Sequence, residues 1–329
     1  MRRFYFFMKK FPIILILILA ALLTVIAGTA WGEEPVEEIV LNPIVINRAA
    51  DPEAEPGFEF PEDARLLHIW FPNVLNADEA ILVFGDQVWL IDCGDERMGG
   101  RGAALIQKLG IETVEKVINT HPHHDHLNGL QATDKAAKVG ELAVCFTEEN
   151  IRHATSRKHF RNAMAYAEKN GIAVTSYEEG SVFTMGEGEV TLTCYVNSKK
   201  NLDVNNRSAQ IMLRYGKRSI LFMADMEKPG QQAMLQRVPT EELKADLLKY
   251  PHHGKSAMED VFLEAVDPEA AIITNKKVED WKGVKYLKKK KIPYLYTAVY
   301  INQKPQYLHL VTDGETWVLE RVGEDKLSN

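Results

Sequence analysis

From Ala64 onward the chain alternates short apolar runs with turn residues, and the period of each run predicts an element. LLHIWF, AILVF and VWLID predict strands, the last two joined by a hairpin-like turn at Gly85-Asp86. RGAALIQKLG predicts a helix ending on Gly110, VEKVINT a buried strand and ELAVCF another. ENIRHATSRKHFRNAMAYAEKNG reads as a long amphipathic helix closing on Gly171. VTLTCYV, SAQIMLRY and RSILFMAD follow as strands, with Gly216-Lys217 turning between the last two. Then come helix PGQQAMLQR, strand DLLKY, helix EDVFLEAV, strand AAIIT, helix DWKGVKYLKKK and terminal strands through WVLERV. No internal repeat is visible. Hairpins with interspersed helices predict two sheets packed face to face under outer helices, one domain over residues 64–323 with a tail at 324–329.

The stretch before this domain has a different pattern. Residues 1–10 are basic and 11–28 carry no charge, the layout of a secretory signal, with Gly28 and Ala30 as small residues before a cut. At about 1.5 Å per residue the apolar stretch reaches roughly 27 Å, close to the thickness of a bilayer core. Residues 1–30 are therefore a signal peptide or an uncleaved membrane anchor, and both place the body outside the cytoplasm. Residues 31–63 are acidic and Pro-rich and read as a linker.

Charge narrows the set of partners. The net charge is −7, and removing the four basic leader residues Arg2, Arg3, Lys9 and Lys10 leaves −11. A body that acidic disfavours non-specific binding to nucleic acid, so any such contact has to be local. Nothing in the sequence points to a protein partner. Cys93, Cys145 and Cys194 form no CxxC pair, which excludes a zinc ribbon and a thioredoxin-type motif. They read as buried thiols.

The chemistry concentrates in Thr120-His121-Pro122-His123-His124-Asp125-His126, at the end of a predicted buried strand. Imidazole and carboxylate are metal ligands, and a loop at a strand end aims several at one point. His121 and His123, two apart on extended backbone, project to the same side. Asp125 and His126 lie on the following turn, placed for a second metal beside the first. Elsewhere, His68 and His309 alternate with apolar neighbours and read as core or surface. Lys288 to Lys291 end a predicted helix, where positive charge suits the helix dipole.

HxHxDH followed by Leu127-Asn128-Gly129 resembles the metallo-β-lactamase fold superfamily, in which it marks a dinuclear metal site. VWLIDCG, LFMAD and KYPHHGKS match further motifs, and the whole pattern resembles the ComEC-like extracytoplasmic hydrolase domains. The resemblance implies an αββα four-layer sandwich of two mixed sheets with outer helices. It also implies two zinc ions, with Mn or Fe as alternatives, held by His121, His123, Asp125, His126, Asp225 and His253. Asp225 would bridge both metals, Asp92 would support the metal loop, and His252 would face the substrate as donor or proton shuttle. Asp125 and His252 are the catalytic candidates. Of the family's GQGD-like turn, Leu75-Asn76-Ala77-Asp78 keeps only Asp78.

Two departures stand out. Many superfamily members have another His ligand between HxHxDH and the bridging Asp. That interval here offers His153, His159, Asp203, Asn205 and Asn206, and the ligand stays unassigned. ComEC-like domains also place a late His in a Gly-containing loop, where this chain has TNKKVEDWKGVKYL. The expected function is an exported metal-dependent hydrolase attacking phosphodiester-type substrates with an activated hydroxide. The alternatives are lactone, thioester or amide hydrolysis, or a non-catalytic binding module on the same scaffold.

Overall fold

The computed structural model describes residues 44–46, 58–95, 97 and 99–327, all within one compact unit. The expected leader at 1–30 lies outside the described residues. The first sheet begins with β1 (Ile44–Ile46), β2 (Leu67–Phe71), β3 (Glu79–Phe84), β4 (Gln87–Cys93), β5 (Thr113–Asn119), β6 (Lys138–Val144) and β7 (Ala173–Ser176). The second sheet is β8 (Val182–Met185), β9 (Val190–Tyr195), β10 (Gln210–Tyr215), β11 (Arg218–Phe222), β12 (Leu247–Lys249), β13 (Ala270–Ile273) and β14 (Tyr294–Tyr296). The chain returns to the first sheet with β15 (Val299–Ile301), β16 (Lys304–Thr312) and β17 (Trp317–Gly323).

The first sheet runs β1-β17-β16-β2-β3-β4-β5-β6-β7, with β15 beside β16, and the second runs β14-β13-β12-β11-β10-β9-β8. Both are mixed. β4 to β7 pair in parallel and the remaining pairs of the first sheet are antiparallel. β11 to β14 are parallel, and β8 to β11 pair antiparallel. Side chains alternate between the two faces of a strand, so each buried strand feeds two cores. Ile69, Leu82, Ile91, Ile220, Phe222, Leu247 and Ile272 point between the sheets. Their neighbours in sequence point outward under helices.

The helices are α1 (Gly99–Lys108), α2 (His124–Leu127), α3 (Leu130–Ala136), α4 (Ala154–Asn170), α5 (Lys228–Leu235), α6 (Asp260–Val266) and α7 (Lys282–Lys290). Leu105, Leu127, Leu130 and Phe160 of α1 to α4 cover Leu90, Val117 and Leu142 of the first sheet. Met234, Phe262 and Leu287 of α5 to α7 cover Leu221, Leu248 and Ala271 of the second. Each such side chain, fully buried, stabilises by about 1.5–3 kcal/mol. The result is the four-layer αββα sandwich.

The ends of the domain differ in detail from the expected boundaries. Within the acidic stretch 31–63, Ile44–Ile46 adds an edge strand antiparallel to β17. Past residue 323, Glu324–Lys326 forms a 3₁₀ turn and Leu327 packs against the outer core of the first sheet. The long helix starts at Ala154, not at Glu149, because Glu148–Asn150 is a separate 3₁₀ turn. RSILFMAD is a strand only through Phe222, and Ala224, with φ of 45°, turns the chain before Asp225.

Candidate metal centre

The parallel strands all end at one edge, and every expected site residue but Asp78 follows or closes a strand there. Asp92 lies at the end of β4, His121 to His126 follow β5, Asp225 follows β11, and His252 and His253 follow β12. Asp78 immediately precedes β3, whose antiparallel direction brings its start to the same edge. Such an edge is where open α/β sheets place ligands.

Three groups of side chains converge. Asp125, His126, Asp225 and His253 each offer an atom within 4.8 Å of the others, as do His121, His123 and Asp225. Asp78, Asp92 and His126 form a third such group behind them. Asp225 belongs to both of the front groups. Its Oδ1 lies 3.2 Å from His126 Nε2 and 3.4 Å from His253 Nε2. His253 Nε2 is also 3.4 Å from Asp125 Oδ2. On the other side, His121 Nε2 is 3.9 Å from Asp225 Oδ2 and 3.1 Å from His123 Nδ1.

Behind these atoms a polar frame holds each ring. Asp92 accepts from Thr120 N at 2.7 Å, Thr120 Oγ1 at 2.6 Å and Asn119 Nδ2 at 2.9 Å, and pairs with His126 Nδ1 at 2.6 Å. His253 Nδ1 lies 3.0 Å from Thr274 Oγ1, which donates to Asp78 at 2.5 Å. Asp78 also bonds Lys249 Nζ, and its backbone N–H donates to Asp125 O at 3.0 Å. Away from the centre, His124 pairs with Asp95 at 2.8 Å and turns its ring toward His159 of α4.

The backbone is held in costly conformations where the site needs them. Asp92, Ala224, His252 and His253 all have φ between 45° and 55°. A left-handed residue with a side chain costs roughly 1–2 kcal/mol. Strain of this kind persists only where the surroundings over-determine it, as functional sites do.

The charges explain what the cluster would accept. Asp78, Asp92, Asp125 and Asp225 are buried together, with Lys249 as the buried ammonium among them. Burial works to raise the Asp225 carboxyl, but His253 and His126 hold it well below the usual range. Burial likewise opposes, and Asp225, Asp92 and Asp78 overcome, a rise of His126 well above its ordinary value. His253 rises for the same reason, through Asp225 and Asp78. His121 is pushed well down by burial, then by His126 and His123, and burial lowers His123 to about 4. The field that draws protons onto two imidazoles draws a divalent cation in the same way. Buried and without a hydrogen-bond partner are His126 Nε2, His253 Nε2 and Asp225 Oδ1. Those three atoms fit a metal, since a buried acceptor left unmade costs stability unless something occupies it.

The structure therefore brings together His121, His123, Asp125, His126, Asp225 and His253, with Asp92 and Asp78 behind them. His252 sits beside the group, with Nε2 3.6 Å from Asp225 Oδ2. His153 is exposed ahead of α4, and His159 faces His124. Sequence reasoning missed Lys249, Thr274 and Glu227. Lys249 had one signal, a charged residue at an inward position of an otherwise apolar strand. Thr274 and Glu227 had none, since their roles depend on which strand ends become neighbours. His68 and His309 stay outside the site, where His309 stacks on Trp70 and pairs with Glu320 at 2.8 Å.

Known proteins resemble parts of this chain. ComE operon protein 3 of Bacillus subtilis is 27% identical over 169 residues, 50% of this chain and 20% of that protein. Recombination protein 2 of Haemophilus influenzae is 26% identical over 203 residues, 60% of this chain and 23% of that protein. The chain thus spans about a fifth of the length of these curated relatives. Among solved structures, a CmlA beta-hydroxylase mutant has a TM-score of 0.46 at 13% identity, covering 78% of this chain and 54% of that one. The metallo-beta-lactamase fold protein YhfI from Bacillus subtilis has a TM-score of 0.44 at 14% identity, covering 71% and 96%. The model of the Metallo-beta-lactamase superfamily matches residues 80–274, from β3 to the threonine that supports His253. With more than half of its length matched, and the matched part carrying both front groups of histidines and aspartates, the chain belongs to the metallo-beta-lactamase superfamily.

Proposed function

We propose that the protein is a two-metal hydrolase of phosphodiester-type substrates that works outside the cytoplasm. The observation that carries this reading is Asp225, whose carboxylate belongs to both front groups of donors. A carboxylate so shared suits two divalent ions about 3.5–4 Å apart. The imidazole-rich donor set favours zinc, with Mn or Fe as alternatives. Bound there, the ions would supply a nucleophile active at neutral pH and a positive field for the oxygen that becomes negative.

The chain's own residues do the positioning. Asp92 fixes the ring of His126, and Thr274 with Asp78 fixes His253, so both present Nε2 forward. Burial raises the Asp125 carboxyl, but His253 and His126 more than offset this and hold it far below the usual range. It therefore stays ionised, which suits a ligand better than a proton-accepting base. The rim supports an anionic substrate. α4 abuts the metal loop through His124 and His159; Arg161 on it pairs with Glu148 and Arg157 donates to Ile151 O, so the basic groups offered there are Arg152 and Lys158. Arg152 and Lys158 are exposed. This is the local contact that an otherwise acidic chain would need. The ComEC-like relationship supports the same substrate class, and the basic, then apolar leader supports export.

The deciding experiment uses full-length protein loaded with zinc. Chelator-sensitive turnover of bis(4-nitrophenyl) phosphate, without turnover of a lactone or thioester, is the expected result. Acyl turnover alone would move the assignment to lactones or thioesters, and metal uptake without turnover of either would favour a binding module.

A further inference from the structure

We infer that His252 is a fourth donor to the metal position formed by His121, His123 and Asp225. The inference rests on the two-metal reading and completes it, because the histidine that many superfamily members place before the bridging Asp has no counterpart here.

The geometry around Asp225 is nearly symmetric. Oδ1 faces two imidazoles, His126 Nε2 at 3.2 Å and His253 Nε2 at 3.4 Å. Oδ2 also faces two, His252 Nε2 at 3.6 Å and His121 Nε2 at 3.9 Å. Consecutive side chains diverge on a strand or helix, yet His252 and His253 converge on one carboxylate. The turn that permits this has φ of 49° and 54° at the two residues. It is tied to the Asp225 segment by the bond from His252 N to Ala224 O at 2.9 Å. A backbone strained at both histidines is explained if both side chains have a task at the centre. A single ligand at His253 would need only one.

The far side of the His252 ring matches the other histidines. Its Nδ1 lies 2.9 Å from Glu227 Oε1, which also accepts from Ser256 Oγ at 2.7 Å. A carboxylate accepts, so Nδ1 carries a proton, and in the neutral ring Nε2 presents a lone pair. His126 stands in the same relation to Asp92, at 2.6 Å. Metal-bound histidines almost always donate their other N–H in this way. At 3.6 Å, His252 Nε2 and Asp225 Oδ2 are too far apart for a hydrogen bond. With the ring neutral, Nε2 and Oδ2 are two acceptors facing one another, an arrangement that a cation beside them satisfies. Of the five residues that the sequence offered for this place, four are exposed or engaged elsewhere, and Asn205 keeps a buried Oδ1 without a hydrogen-bond partner. His153 is exposed, His159 faces His124, and Asp203 caps Asn206 at 2.8 Å. Asn206 Oδ1 in turn accepts from Gly230 N at 2.9 Å.

The test is equilibrium dialysis of the full chain against Zn²⁺, with the absorption spectrum of the Co²⁺-loaded protein as a second readout. Wild type should take up two ions. His252→Ala should lose or weaken one of them and change the Co²⁺ spectrum. His121→Ala should affect the same ion, so the double variant should still hold the ion that depends on His253. Glu227→Ala, which leaves the donor in place, should weaken that ion by about 10–100-fold. Two ions of wild-type affinity with an unchanged spectrum in His252→Ala would overturn the assignment while leaving the two-metal reading intact. If His252→Ala does not fold, wild-type affinity for both ions in Glu227→Ala overturns it instead. A wild-type chain that takes up no metal would defeat both.

Discussion

Asp225 lies three residues past the end of β11, buried among five imidazoles, and its position decides between two roles. An Asp just before a helix is a common N-cap, but α5 has Glu227 at its N-cap position and no side-chain cap bond. Asp225→Asn keeps the shape and removes the charge shared by the two donor groups. Affinity for both ions and phosphodiester turnover should each fall at least 10–100-fold, the usual effect of altering residues that only support a ligand. Wild-type metal content and turnover in that variant would contradict the bridging role. A second residue-scale prediction concerns Glu79. Both of its oxygens are buried without a hydrogen-bond partner, and burial raises its pKa to about 8 from 4.5. Below pH 4.5 the group is neutral in both folded and unfolded chains. Between about 4.5 and 8 the unfolded chain loses the proton while the folded one keeps it, so stability falls as pH rises through that window. Glu79→Gln should therefore gain in melting temperature relative to wild type between pH 5 and pH 8.5. A difference that stays constant with pH would show that Glu79 is not held neutral. The six candidate donors that the structure brings together were legible because metal chemistry restricts such residues to His and Asp at short spacing in one loop or beside strand ends. Lys249, Thr274 and Glu227 were not, because hydrogen-bond partners across strands leave no mark on local sequence.

At the scale of elements, the strands that the sequence announced have a face in a core, but β8, whose Met185 is buried between the sheets, was missed as well as β7. β7 was missed because all four of its residues are exposed, so it pairs at the edge without an apolar face. β1 was hidden in acidic text for a related reason, since three residues of backbone pairing to β17 suffice to place it. The short helix α2 carries Asp125 and His126 of the metal loop and α3 follows it, and their place is set by packing more than by periodicity. Gly129, between them, explains one motif residue. A Cβ there would lie 1.6 Å from the carbonyl oxygen of Cys93, while its N–H donates to Gly94 O at 3.1 Å. The glycine lets the metal loop dock against the end of β4, where Asp92 sits. Gly129→Ala should lower stability by several kcal/mol, as overpacking against fixed backbone does, and should reduce metal affinity along with it. Thermal unfolding of the metal-free variant against metal-free wild type measures the first effect. A melting temperature equal to wild type would mean that the loop can shift freely.

For the whole molecule, the two sheets and their helices form a frame whose strand ends gather four buried carboxylates at one edge. That cluster attracts a further cation, so metal binding and stability should be linked. Ligand at 100 times its dissociation constant stabilises by about 2.7 kcal/mol per site. Zinc should raise the melting temperature by several degrees and a chelator should reverse it; scanning calorimetry with and without chelator measures this, and superimposable scans would contradict the linkage. Among the described residues no helix is long and apolar enough to cross a membrane, and the proposed export rests on residues 1–30. Protease added outside intact cells should reach the body of the protein, and complete protection would contradict export. The central claim is that Asp225 bridges two metal ions. A crystal structure of the zinc-loaded protein, with anomalous scattering recorded at the zinc edge, tests it most directly. The expected result is two anomalous peaks about 3.5–4 Å apart with the Asp225 carboxylate between them. A single peak that Asp225 does not touch, or none within reach of His121, His126 and His253, would contradict it.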